Sequence, residues 1–357
     1  MRIFIKNILL SSVVASDWVL FSALSSLSLF LVGLKTKISV ARYLILFIWY
    51  AIIIVFTIKG LNESPWQHVL KNSLFFYIIP LASLLRTGTF FSKRFVNLLI
   101  LIIVGQCVVV VALHSMGYEV FQRDGWFVKF FGLYSSGGTV VGNRFYNYNF
   151  TLLMCLIFMK VALQHNSLKL VDVLIIIFSI VFSGSKGIVL SGFVLVCYII
   201  LADVKKINFL KIFTIISCVS VFANFFPLYD LFLATFDPSD ISNVTRLTVT
   251  LSLIQNTLTI WGEGFGASLP QELIRDVSRP YGFEISYVSY YHKLGIFFVL
   301  LMLLFQLLFG TRCIWYALPI WVTALGNPTL THLMNFIFVY LAVCTSRLVK
   351  SKSRVRK

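Results

Sequence analysis

Apolar segments that are long enough to cross a lipid bilayer recur along almost the whole chain. A spanning helix needs about 20 mostly apolar residues, and about eleven segments approach that length. They lie near residues 10–33, 40–58, 69–85, 96–113, 147–164, 169–183, 187–202, 208–226, 294–310, 313–327 and 329–347. Since 59% of residues are hydrophobic and 12% are charged, the chain has too little polar surface for a soluble globule. The sequence predicts an all-α polytopic membrane protein, residues 1–357 forming one integral membrane domain with about 11 (10–12) transmembrane helices.

The distribution of basic residues among the loops predicts the orientation of these spans in the membrane. When the spans alternate, most basic residues fall on one side, which the positive-inside rule assigns to the cytoplasm together with the C-terminus. These residues are Lys93, Arg94, Lys160, Lys169, Lys205, Lys206, Lys211, Arg312, Arg347, Lys350, Lys352, Arg354, Arg356 and Lys357. Eleven spans then place the N-terminus outside, whereas Arg2 and Lys6 favour the inside, so an even count is preferred. The net charge of +17 is scattered over short loops, and no nucleic-acid partner is predicted.

One large polar loop, residues 227–293, interrupts the apolar pattern and faces outward. It carries seven of the thirteen acidic residues, whereas the predicted spans are nearly free of acids apart from Asp17. Because lipid-facing segments cannot perform polar chemistry, this loop is where an active site is expected. A smaller outward loop covers residues 116–146, and its segment 135–138 (Ser-Ser-Gly-Gly) is typical of a turn.

Two local patterns organise the large loop. Residues 241–261 have apolar side chains at roughly helical spacing, which predicts an amphipathic helix on the outer membrane surface, ended by Gly262. The apolar positions are Leu247, Leu251, Leu253, Ile254, Leu258 and Trp261. Gly262, Gly264 and Gly266 then predict an irregular turn that lets the backbone approach another element closely.

Several chemistries find no support in the sequence. The six cysteines lie in or beside apolar segments without paired spacing, which indicates small core residues. Asp237 and Asp240 belong to a turn sequence without further ligands, so no metal site is predicted. No phosphate-binding loop for a nucleotide is present, and no cofactor is expected.

The order of motifs in the loop resembles the superfamily of O-antigen polymerases and O-antigen ligases. The similar segments are RLTVTLSLIQNTLTIWGEGFG (residues 246–266), EISYVSYYHKLG (284–295) and SGSKG (183–187). The resemblance covers roughly residues 140–300. It implies a fold like that of the C-type membrane glycosyltransferases, an inner-membrane location and metal-independent chemistry at the periplasmic face. Ligases of this superfamily have a histidine eleven residues before the glycine that opens the next span. In this chain Glu284 occupies that position before Gly295, which favours the polymerase branch.

The resemblance also implies roles for individual residues. Glu284 is the expected base that accepts the proton of the acceptor hydroxyl. Outward-facing cations are expected to hold the diphosphate of the donor, since Arg and Lys bind phosphate oxygens. The residues expected to bind substrate or diphosphate are Arg246, Lys186, Arg144, Arg279, Gly264, Gly266 and Tyr287. The expected partners are undecaprenyl-pyrophosphate-linked oligosaccharide, membrane lipid and a chain-length regulator.

Plainer interpretations stand beside these roles. Glu284 is also explained as a solvated carboxylate paired with Lys293 or Arg279, and Arg144 as a side chain that reaches lipid headgroups. His292 is an alternative base. At the level of the whole protein, the alternatives are an O-antigen ligase, which transfers glycan to the lipid A core, and a polysaccharide flippase. The near absence of acids from the spans argues against the flippase.

Overall fold

The described part of the chain is predominantly helical. The computed structural model describes residues 38–85, 92–115, 134–136, 144–146, 149–164, 169–183, 190–192, 194, 216, 237, 239, 241–256, 260–268, 286–324 and 334–355. In these ranges the helical content agrees with the predicted all-α class. Glu284, Lys186 and Arg279 lie outside the described residues, as do the predicted first span and most of residues 187–226.

The described residues form helices, most of which overlap a predicted segment. They are α1 (Val40–Glu63), α2 (Trp66–Ile78), α3 (Lys93–Ser115), α4 (Asn149–Leu163), α5 (Leu170–Ser183), α6 (Ile241–Asn256), α7 (Ser286–Leu294), α8 (Ile296–Phe309), α9 (Thr311–Tyr316), α10 (Leu318–Thr323) and α11 (Met334–Val355). Among the described residues, α1 alone is a single helix long and apolar enough to cross a membrane. The pair α7 and α8, bent by 112°, is a second if it is counted as one span. Shorter apolar helices cover Thr151–Leu163, Val171–Ile180 and Phe338–Val349.

Two predicted spans are interrupted rather than continuous. In the segment 69–85, α2 ends at Ile78 and the chain tightens into a 3-10 helix, Ile79–Leu84, with Pro80 in its first turn. In the segment 313–327, Ala317 separates α9 from α10, and Pro319 lies in the first turn of α10. Proline has no backbone N–H to continue a helix, but it fits the first turn of one. Each break therefore coincides with a proline that favours the start of a new helix.

Two short strands lie in the segment 116–146, which the sequence predicts as the smaller outward loop. Strands β1 (Tyr134–Ser136) and β2 (Arg144–Tyr146) pair in antiparallel fashion, with Ser136 opposite Arg144. The turn predicted at residues 135–138 is therefore corrected, because Ser135 and Ser136 belong to a strand. Gly137 and Gly138 lie outside the described residues.

Helix α4 is the centre of the packed core. Every side chain from Thr151 to Leu163 is buried, and the helix packs against α3, α5, α10 and α11. A helix that is apolar on all sides is stable only when it is enclosed on all sides. The thiols of Cys155, Cys313 and Cys344 are buried and belong to no disulfide, which confirms the prediction of small core residues for these three cysteines.

A buried ion pair joins α4 to α5. The ammonium of Lys160 donates to Asp172 Oδ1, and the backbone N–H of Lys169 donates to Asp172 Oδ2 at 3.2 Å. Asp172 is fully buried. The expectation that Asp17 is the notable acid of the spans is thus wrong, since Asp172 lies in the predicted span 169–183. Lys160, used above as a marker of the cytoplasmic side, is buried in the same pair.

Breaking this pair on one side should destabilise the helix pair strongly. Asp172→Leu leaves the Lys160 ammonium buried without its carboxylate, at an expected cost of about 3–5 kcal/mol in the free energy of unfolding. The double change Lys160→Met with Asp172→Leu removes both charges and should restore most of the lost stability. Thermal unfolding of the detergent-solubilised protein measures both effects. A single variant that melts with the wild type would contradict this assignment.

Candidate functional site

The glycine turn, residues 260–268, is docked by backbone hydrogen bonds between two helical elements. Gly264 N donates to Lys293 O at 2.8 Å, and Phe265 N donates to Phe56 O at 3.0 Å. Two further bonds fix the turn to the junction of α7 and α8, from Glu263 N to His292 O (2.9 Å) and from Ile296 N to Ile260 O (2.8 Å). The turn therefore bridges the end of α1 and the start of α8.

Glycine is required where this turn meets α1. Gly264 has φ +93°, and a Cβ there would lie 2.7 Å from Gly60 N. A Cβ on Gly60 would lie 1.7 Å from the carbonyl oxygen of Phe265. Backbone packs directly on backbone at this contact, and only glycine permits that approach.

Gly295 makes the sharp bend between α7 and α8. Its φ is +57°, and a Cβ there would lie 2.1 Å from Ile260 O. Gly295 N donates to Tyr291 O at 2.6 Å, which closes the last turn of α7. Gly295 opens the apolar helix α8, and the turn predicted to approach another element closely packs against it.

An aromatic cluster seals the inner side of the turn. Phe265 is fully buried, and its ring centroid lies 5.6 Å from that of Phe76 in α2. The ring of Tyr290 in α7 lies edge-on to Phe76 at 4.9 Å. Trp49 Nε1 donates to Phe76 O at 2.8 Å, which holds α2 against α1. These contacts join α1, α2, the turn and α7 into one unit.

A cation and a carboxylate lie at the outer side of the turn. Lys59 Nζ donates to Gly262 O at 2.6 Å and lies 3.7 Å from Glu263 Oε2. The two side chains are 38% and 32% exposed, respectively. Ser64 Oγ donates to Gly266 O at 2.9 Å. The residues that follow the apolar part of α1 therefore hold the turn by its carbonyl groups.

A second lysine is buried next to the turn. Lys293, at the end of α7 and before the apolar helix α8, is 1% exposed. Its ammonium group donates to Asn72 Oδ1 at 2.8 Å and to Ser289 Oγ at 3.0 Å, and lies 5.2 Å from the centroid of the Tyr290 ring. Burial lowers the pKa of Lys293 from 10.5 to about 7, because removal from water disfavours the charged form. His292, the alternative base, is also buried.

The structure brings together only some of the residues predicted from the sequence. Gly264 and Gly266 lie in the turn, and Tyr287 lies in α7, where its hydroxyl donates to Trp321 O at 2.8 Å. Burial raises the pKa of Tyr287 to about 12. Arg246 lies in α6, half-buried, and Nη1 donates to Asn243 Oδ1 at 3.3 Å. Arg144 lies in strand β2.

The amide groups of the turn are directed into the protein. Those of Glu263, Gly264 and Phe265 all donate to backbone carbonyls of neighbouring elements. The glycines thus serve close packing, and substrate contact by Gly264 and Gly266 stays a prediction. Among the described residues no group of three or more His, Cys, Asp or Glu side chains is placed to hold a metal ion.

The amphipathic helix predicted over residues 241–261 is present as α6, Ile241–Asn256, and its predicted end at Gly262 is wrong, since residues 260 and 261 already belong to the turn. Leu253 is buried, whereas Val244, Leu247, Leu251 and Ile254 are exposed on one face at spacings of three and four residues. Trp261 beyond the helix is 69% exposed. An exposed apolar stripe of this kind fits a helix lying in the membrane interface, which tryptophan also favours.

Sequence reasoning missed Lys59, Asn72 and Glu263 as members of this cluster and considered Lys293 only as a partner of Glu284. Lys59 is separated from the turn by 203 residues, so no local pattern connects them. The one local signal is the dipeptide Lys59-Gly60 at the end of an apolar segment, where a charge and a flexible residue meet.

Comparisons of the chain with protein-family models, with curated proteins and with solved structures find no match.

Gly60→Ala should disrupt docking of the turn. The added methyl group would occupy the position of the Phe265 carbonyl, so α1 and the turn must separate. Gly105→Ala in α3 is a matched control, since a Cβ there meets nothing within 4 Å and alanine favours a helix. We expect a lower thermal midpoint for Gly60→Ala and an unchanged or higher one for Gly105→Ala. Equal midpoints for the two variants would contradict the packing described.

Lys293 should make the stability of the protein rise with pH. Its pKa is about 7 in the folded protein and near 10.5 in the unfolded chain, so the unfolded state binds the extra proton between these values. Stability then increases by about 1.4 kcal/mol per pH unit from this group, and the gain is lost as pH falls towards 7. Thermal midpoints at pH 7.5 and 9.5 should differ for the wild type and for Lys71→Met, but much less for Lys293→Met. Parallel pH profiles for all three proteins would refute the assignment.

Proposed function

We propose that this protein is a Wzy-type O-antigen polymerase, or a polymerase of a related surface polysaccharide, in the bacterial inner membrane. In this proposal about 11 (10–12) transmembrane helices form a fold of the membrane glycosyltransferase C type. One observation carries the proposal: two sequence motifs that are separated in the chain contact each other in the structure. The glycine turn and the span-opening Gly295, about 30 residues apart in the chain, form one hydrogen-bonded unit. These are the motifs on which the resemblance to the superfamily depends.

The predicted topology supports a site on the outer side. Alternation of the spans places the end of α1, the start of α8 and the end of α10 on the same side as the large loop. Those are the segments that meet: Gly60 contacts Gly264, Gly295 contacts Ile260, and Ser286 N donates to Ala324 O at 3.2 Å. A site exposed on that side can use a donor that is carried by a lipid.

The proposed reaction is a glycosyl transfer. A hydroxyl oxygen of the terminal sugar on one lipid-linked repeat unit bonds to the anomeric carbon of the growing glycan. The bond from that carbon to the diphosphate oxygen breaks, and its electron pair leaves with undecaprenyl diphosphate. Glu284 takes the hydroxyl proton, and Arg246, Lys186, Arg144 and Arg279 neutralise the departing diphosphate. No metal or cofactor takes part in this proposal.

A flippase is the second candidate, and the ion pair Lys160–Asp172 favours it. Ionisable residues inside the membrane commonly mark translocation pathways. In this chain, however, the two side chains contact each other directly and are buried, and Asp172 also accepts a hydrogen bond from the backbone N–H of Lys169. We therefore assign the pair a structural role and retain polymerisation as the proposal.

Deletion of the gene tests the proposal, with lipopolysaccharide or capsule resolved on a gel. A polymerase mutant should lose long chains while a single repeat unit remains attached to the core. Wild-type protein should restore the ladder, and Glu284→Ala at equal membrane abundance should not. Glu272→Ala in the same loop is a matched control that should restore it. Bare core with no repeat unit would point instead to a ligase or flippase, and an unchanged ladder would refute the proposal.

A further inference from the structure

Lys59 is a cation held in place at the edge of the glycine turn. The Gly262 carbonyl fixes its ammonium at 2.6 Å, and this carbonyl belongs to a turn that is itself bonded to α1 and α7. The ammonium is thereby positioned without a substrate. Binding sites gain affinity when their charged groups are held in place in this way, because less conformational freedom is lost on binding.

The pairing of Lys59 with Glu263 is loose. The separation of 3.7 Å between Nζ and Oε2 is longer than a hydrogen bond, and both side chains are about one third exposed. Exposed ion pairs of this kind contribute little to stability. An ammonium has three donors, and a diphosphate offers several charged oxygens that accept stronger, charge-assisted bonds. A diphosphate can therefore replace the Glu263 carboxylate at small cost.

An exposed aromatic side chain lies beside this cation. Trp261, which directly precedes Gly262 in the turn, is 69% exposed, and tryptophan is enriched at membrane interfaces. A ligand with an anionic headgroup and an apolar tail matches both features.

We propose that Lys59 binds the diphosphate of a prenyl-linked substrate, and that Glu263 is the competing internal anion that the diphosphate displaces. The identity of the ligand as the polymerase donor rests on the function proposed above. Lys59 thus adds to the cations expected from the sequence a residue from a distant part of the chain.

The proposal and a purely structural ion pair predict opposite changes in ligand affinity when the charge of Glu263 is removed. If the pair only supports the turn, removal of either charge weakens the site, and both variants bind the ligand less tightly. If Glu263 competes with the ligand, Lys59→Gln weakens diphosphate binding and Glu263→Gln strengthens it. Glutamine at position 59 retains a donor for the Gly262 carbonyl, so the change removes chiefly the charge.

The test measures binding of farnesyl diphosphate to the purified full-length protein in nanodiscs of neutral lipid. We expect Lys59→Gln to weaken binding by about ten-fold or more. Lys59→Arg should stay within a few-fold of the wild type, and Glu263→Gln should bind more tightly. Lys71→Gln, an exposed lysine in α2, is the control and should bind as the wild type does. Thermal midpoints measured on the same samples identify any variant that has lost its fold. If Lys59→Gln is such a variant, the direction of the change in Glu263→Gln relative to the wild type carries the comparison.

Three results would overturn the proposal. They are no binding by the wild type, a failure of either variant to change binding in the expected direction (weaker for Lys59→Gln, tighter for Glu263→Gln), and loss of binding in nanodiscs that contain phosphatidylglycerol, which would identify a headgroup site. The outcome is separable from the polymerase proposal. An unchanged ladder in the deletion strain with diphosphate binding intact refutes the polymerase alone, and a lost ladder with no Lys59 dependence refutes only this site.

Discussion

The close backbone packing of the glycine turn against Gly60 and Gly295 is the constraint on which the rest of the site depends. At these contacts a Cβ would fall within 2.7 Å of a backbone atom, so helix α1, the turn and the bend between α7 and α8 fit together only as glycine-on-backbone surfaces. The hydrogen bonds of Gly264 and Phe265 then fix their relative positions. Lys59 and Glu263 take their places from this framework.

The two lysines of the site illustrate how position sets chemistry. Lys59, at the rim, remains partly exposed and lies 3.7 Å from the Glu263 carboxylate, the arrangement on which the proposed diphosphate site rests. Lys293, enclosed by α2 and α7, has a lowered pKa and bonds to neutral side chains, which suits it to hold the elements together. One residue type thus supports two functions, because one ammonium retains contact with water and the other does not.

Local patterns in the sequence predicted the local structure well, whereas contacts between residues far apart in the chain could not be predicted. Helical spacing predicted α6, and the glycines predicted both the irregular turn and its close approach. The partner surface at Gly60 was not predictable, because it lies about 200 residues away and depends on how helices pack. Hydropathy also failed to reveal the breaks at Ile78 and Ala317, since apolar content persists across them. Asp172 was overlooked because one acid hardly alters an apolar segment, although burial makes its pairing essential.

Reconstitution of the purified protein in liposomes, with a defined undecaprenyl-diphosphate-linked repeat unit as the sole sugar source, tests the central claim most directly. Products are resolved by mass as a function of time. The account predicts lipid-linked chains of two, three and more repeat units, with one undecaprenyl diphosphate released for each bond formed. A folded, correctly inserted protein that leaves the repeat unit unextended would contradict it.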